Sequence, residues 1–229
     1  MQALLNTICP ILVWVIAAFQ LVMLLSFMKK YGKTKNPLFL CSGLVAFGLF
    51  YDALILSFGT FMQEGSLLSG LSQVRYISHG ALIPLLLPIC AYALNFKKTG
   101  KLVTWIITAA LMAVGIGSGI ATVMIPENFG VLRYACDNAP GATPTWAVLV
   151  SGVLLAVGMI IPVIIAGIIV WIKQKTPSLF LAGALMFAFS GVGAAFGDFM
   201  FFISMFGEVC MITFFMVYAN FNEKKKSVA

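Results

Sequence analysis

The chain has 229 residues, of which 62% are hydrophobic and 9% charged, with a mean hydropathy of +1.06 and a net charge of +7. That balance excludes an ordinary soluble domain, which needs far more polar surface. The apolar runs are long and continuous rather than alternating, which favours membrane-spanning helices over a barrel.

The first apolar run extends from about Cys9 to Met28 and is long enough to span a bilayer. No basic segment precedes it, so no cleavable signal peptide is expected. Lys29, Lys30, Lys33 and Lys35 follow. The second span covers about Pro37 to Phe61, with Asp52 near its middle. The third covers about Gln73 to Phe96, carries Arg75 and His79, and ends at Lys97, Lys98 and Lys101. Pro84 and Pro88 are expected to kink it, and Pro162 to kink the fifth span.

The fourth span runs from about Leu102 to Met124. A loop over about Ile125 to Thr145, with Pro126, Pro140, Gly141 and Pro144, reads as an ordered or semi-ordered outer segment. The fifth span covers about Trp146 to Ile172 and is followed by Lys173 and Lys175. Residues 177–221 form one apolar block broken around Gly197–Asp198. A single helix of that length would far exceed a bilayer, so the block divides into a sixth span, Pro177 to Phe196, and a seventh, Phe199 to Phe221. Lys224, Lys225 and Lys226 close the chain.

The expected fold is therefore all-α: residues 1–229 form one bundle of seven transmembrane helices in the cell membrane. Every lysine lies after the first, third, fifth or seventh span. The positive-inside rule then places the N-terminus outside and the C-terminus in the cytoplasm. Lysines in such positions face lipid head groups, so the positive charge does not point to nucleic acid. Trp14, Trp105, Trp146 and Trp171 lie toward span ends, as interface anchors do. Glycines in the fourth span (Gly115, Gly117, Gly119) and sixth (Gly191, Gly193, Gly197) suit close helix packing. Cys9 and Cys136 fall on the outer side, where oxidation is permitted, and are expected to form a disulfide.

The third span reads Arg75-Tyr76-Ile77-Ser78-His79, then Ile83-Pro84-Leu85-Leu86-Leu87. This resembles the third helix of microbial, bacteriorhodopsin-type rhodopsins, where Arg-Tyr is followed by a carboxylate and an aromatic and then by Thr-Pro-Leu-Leu-Leu. Ala46-Phe47 in the second span also resembles that family. The resemblance covers the first three helices and beyond them rests on helix count. It implies a seven-helix fold whose arginine points inward. The family binds retinal through a lysine in the seventh helix, yet no lysine occurs between Lys175 and Lys224. Glu208 falls near that lysine's position. The proton-acceptor position is Ser78, the inner donor position falls near Ile89, and the following aromatic is His79. The sixth helix offers Phe187, Phe189 and glycines. No covalent retinal and no light-driven pumping by the family mechanism are therefore expected.

Ionisable groups within a membrane are costly and usually face an interior or a cavity. Here they are Asp52, Arg75, His79, Asp198 and Glu208, with Asp198 near the outer end of its span, where water can reach it. Arg75 and His79 share a helix face at four-residue spacing. Asp52, Arg75, His79 and Glu208 are expected to form an intramembrane polar cluster. One histidine and no thiolate set argue against a metal centre or a zinc-dependent ceramidase-type hydrolase. No two-carboxylate or Ser-His-Asp spacing points to another enzyme. Two readings stay open: the cluster binds a small ligand or carries or senses protons or ions, or it only locks helices in a structural subunit. In either case the lipid bilayer is the first partner, with a second copy or another membrane protein as further ones.

Overall fold

The computed structural model describes residues 2–228, including their side chains apart from those of residues 2–5, 198 and 226–228. Asp198 of the candidate set is thus described in its backbone alone. Helix α1 (Gln2–Thr34) turns into α2 (Pro37–Phe58) at Lys35, which has a φ of 54°. Asn36 caps α2: its Oδ1 accepts a hydrogen bond from the Leu38 N–H at 3.1 Å. Pro37 takes the first helical position, where a missing N–H has no consequence.

Helix α3 (Ser66–Ala93) is interrupted by a 3-10 turn at Ile83–Leu85 around Pro84, which has no N–H for the regular ladder. Pro88 sits inside the resumed helix without breaking it. Helix α4 is Lys98–Ala121. The expected loop after it contains a hairpin, β1 (Met124–Asn128) antiparallel to β2 (Leu132–Cys136), which qualifies the all-α expectation. Gly130, at φ 76°, makes the reversal. Helix α5 (Thr145–Gln174) is π-helical over Val150–Val157 and regular through Pro162. Helix α6 (Ser178–Ala194) ends before a 3-10 turn at Gly197–Phe199, and α7 is Met200–Val228. Gly197, at φ 55°, marks the break between them.

Six of these helices are long and apolar enough to cross a membrane. The seventh, α6, has 17 residues, about 25 Å at 1.5 Å per residue, against a hydrocarbon core of about 30 Å. Large apolar side chains also cover the bundle's outside. Ile11, Val22, Ile106, Ile120 and Ile172 are all exposed, and only lipid satisfies so extensive an apolar surface. The chain is a multi-helix membrane protein.

The bundle has two unlike ends. At the lysine end the helices are tied by polar bonds. Asn36 Nδ2 donates to Glu223 Oε2 at 2.7 Å, linking α2 to α7. The Ala93 carbonyl of α3 accepts from Gln174 Nε2 at 3.0 Å and from the Tyr218 hydroxyl at 3.2 Å, joining α5 and α7. Phe27, Phe39, Ile89, Phe215 and Tyr218 fill the core behind these bonds. Nearer the other end, α3 and α4 cross through glycine. Gly80 lies against the Gly115 backbone and Gly119 against that of Ile77, so a side chain at any of the three would strike main chain. Gly117 takes no such part, and Gly191 faces open space.

The hairpin covers that second end. The Leu132 N–H donates to Gly59 O at 2.9 Å, the Gly65 N–H to the Tyr134 hydroxyl at 3.1 Å, and the Cys136 N–H to the Tyr76 hydroxyl at 2.9 Å. The expected disulfide is absent: Cys9 and Cys136 are both free thiols. Cys9 is buried in α1 in the same apolar cluster as Val131. Cys136 lies at the opposite end of β2, its Sγ donating to Asn138 Oδ1 at 3.3 Å. The extended chain from Val131 to Cys136 covers about 16 Å, well beyond the reach of a disulfide. A shared side of the membrane was too coarse a criterion.

Candidate intramembrane site

Four side chains from three helices meet inside the hairpin-end half of the bundle. Asp52 comes from the C-terminal half of α2, Arg75 and His79 from successive turns of α3, and Glu208 from α7. Each is held by the element that carries it. Arg75 Nε pairs with Asp52 Oδ1 at 2.9 Å, with both side chains largely buried. The planar guanidinium then uses a second nitrogen: Nη2 donates to the Tyr134 carbonyl of β2 at 3.3 Å. Its face lies over the Tyr76 ring, 5.2 Å from the centroid. The hairpin therefore helps to orient the central arginine. Nη1 is buried without a partner.

Glu208 is reached from α1. Gln20 Nε2 donates to Glu208 Oε2 at 3.3 Å, and both residues are buried. Gln20 Oε1 has no partner. His79 has no hydrogen-bond partner among the described residues. Ser78, at the acceptor position of the rhodopsin pattern, donates to the Arg75 carbonyl of its own helix at 2.9 Å and is not part of the cluster.

Asp52, Arg75, His79 and Glu208 all line one cavity of about 510 Å³. Its remaining wall is mostly apolar, with Leu49, Ile83, Leu86, Leu155, Ile160 and Met211 among the lining residues. The π-helical stretch of α5 supplies another part of that wall through Ser151, Gly152 and Leu155. Stretches of this kind widen a helix locally and are frequent at functional sites. Ser118, Ser151 and Ser204 also line the cavity, and each hydroxyl donates to a carbonyl of its own helix.

A second, smaller cavity of about 370 Å³ lies under the hairpin, lined by Glu127, Phe129, Arg133 and Phe201. Arg133 Nη2 pairs with Glu127 Oε2 at 2.5 Å, and its guanidinium lies 4.1 Å from the Phe201 ring centroid. Met200 and Ser204 line both cavities, so the two adjoin. Among the described residues no group of three or more metal-ligating side chains comes together.

Sequence reasoning missed Gln20 and Tyr134. Gln20 had a readable signal, an amide in an otherwise apolar span, and such residues bond across helices. Tyr134 had none, because it acts through its backbone carbonyl. No family model, curated protein or solved structure matches the chain. The resemblance to bacteriorhodopsin-type proteins therefore rests on sequence alone, on the residues of the second and third spans and the number of apolar runs.

Proposed function

We propose that the protein is a rhodopsin-like, non-photoactive cell-membrane protein that binds a small ligand in the cavity at Asp52, Arg75, His79 and Glu208. One observation carries this reading: charged groups from α2, α3 and α7 converge on a single mostly apolar cavity, and among them only Asp52 and Arg75 form an ion pair. A purely structural network would consume its own hydrogen-bonding capacity. Here Arg75 Nη1 and Gln20 Oε1 are left without partners, and His79 has none among the described residues. The volume suits a compact organic molecule, and few polar groups in an apolar pocket is the usual makeup of a ligand site. A mostly apolar space of this kind holds water poorly.

Native mass spectrometry of protein extracted in mild detergent tests the reading. A bound small molecule that disappears in the cavity-filling Gly191→Phe variant supports it, and ligand-free spectra from both forms refute it. A proton or ion path is the second reading. It is favoured by the smaller cavity, which extends the site toward the hairpin through Met200 and Ser204. Proton-flux measurement in vesicles, with Glu208→Gln as the control, separates transport from binding.

The same proposal has seven spans, with α6 the short one, an outer N-terminus and a cytoplasmic lysine end. Cysteine-accessibility labelling of the segment Lys97–Lys101 from outside would overturn that orientation. Retinal added to the purified protein is expected to give no borohydride-trappable adduct within residues 199–221.

A further inference from the structure

We infer that the ligand reaches the cavity sideways from the bilayer, between α5 and α6, and is a single-chain amphiphile whose protonated amine sits against Glu208. This rests on the ligand-binding reading above and adds to it a route and a chemical class.

The route follows from residues that belong to two surfaces at once. Gly152, Ala156 and Val157 on α5, with Phe187 and Gly191 on α6, line the cavity and are also exposed. A wall made of exposed residues is a mouth. The side chains around it are apolar: Val153 is 57% exposed and Val192 54%. The mouth therefore opens onto hydrocarbon. A strongly polar solute would have to cross lipid to reach it, whereas a membrane-dissolved chain is already there. Such a chain can leave its tail between the helices while its head group enters.

The head group follows from charge. Asp52 is answered by Arg75 at 2.9 Å. Glu208 is bonded only by the neutral amide of Gln20, at 3.3 Å, and no cationic side chain pairs with it among the described residues. Gln20 itself is fully buried behind Glu208 and does not line the cavity. A cavity-lining carboxylate with no cation paired to it is the complement of an ammonium, which brings one positive charge and three donors. Two of the three Arg75 nitrogens are occupied by Asp52 and Tyr134.

Oleylamine carrying a diazirine, photolysed with the full-length protein in lipid nanodiscs, tests the assignment. Labelling is expected on residues 152–157 and 187–191, competed by oleylamine and not by oleyl alcohol or oleic acid. Glu208→Gln keeps the Gln20 neighbour but loses the charge, and should weaken amine competition about tenfold or more. Gly191→Phe and Gly152→Phe, which each place a side chain where a Cβ meets open space, should abolish labelling in a folded protein. Labelling elsewhere overturns the route. Unchanged amine affinity in Glu208→Gln, or oleic acid competing as well as oleylamine, overturns the head group. If the amine probe fails while Gly191→Phe still removes a native small molecule, the amine and its route fall and ligand binding stands. If neither is seen, both fall.

Discussion

Helices α5 and α6 meet in two different ways along their length. Toward the lysine end Gly167 of α5 lies on the backbone of Phe180, and Gly183 of α6 receives Ile164, whose Cγ1 is 2.9 Å from where a Cβ would be. Toward the hairpin end Gly152 and Gly191 face open space on the same two helices. The residue type is the same and its consequence is opposite. In one half the missing side chain lets two backbones interlock. In the other it leaves a gap, beside the π-helical turn, that the cavity uses as its outer wall. A glycine pattern in a membrane helix is thus evidence of close packing only when a partner backbone fills the space it leaves.

The contrast predicts an ordered set of effects. The largest belongs to the charges that the open half keeps inside. Asp52→Ala strips Arg75 of its ion pair in a largely buried site and should lower stability by about 3 kcal/mol, read as chemical unfolding in micelles. A loss under about 1 kcal/mol would mean that water reaches the guanidinium, and the open half would then be wet. Next comes Gly167→Ala. Its Cβ would strike the Phe180 backbone and force α5 from α6, for a loss of about 1–3 kcal/mol. Glu208→Gln should change stability by less, within about 1 kcal/mol, because a neutral amide can still bond Gln20 and no paired cation is abandoned. If it instead destabilised the protein as much as Asp52→Ala, the cluster would be a helix lock and the binding reading would lose its main support.

The parts of this site visible in the sequence were those set by a single helix or by the bilayer. Arg75 and His79 share a face because of helical spacing, and a carboxylate at Asp52 or Glu208 has an electrostatic reason to turn inward. The chain break at Gly197 was likewise forced by length. What the sequence did not reveal depends on two segments meeting. The hairpin was hidden because Pro126 disfavours a strand, yet it pairs with Tyr134 opposite it. The π-helical stretch carries no local marker, since Val150–Val157 reads as ordinary apolar helix. The α5–α6 mouth appears only when both helices are in place. The pairing of Cys9 with Cys136 failed for the same reason: the end of the bundle is legible, but position along a folded hairpin is not.

The smallest effect is the sharpest test of the two-way contact, because its sign should reverse. Gly191 lies in the last turn of α6, where glycine is less favourable than alanine by up to about 0.5–1 kcal/mol through the entropy of the unfolded chain. Its added Cβ would meet nothing within 4 Å. Gly191→Ala should therefore leave stability unchanged or raise it by up to about 1 kcal/mol. The same exchange at Gly167 carries the same propensity gain, but there the backbone clash exceeds it. Measuring both variants in one detergent cancels the solvent and reference-state terms they share. A destabilised Gly191→Ala would mean that α6 closes onto α5 at the hairpin end, which would remove the mouth. A stable Gly191→Ala beside an unstable Gly167→Ala would locate the interlock in one half and the opening in the other.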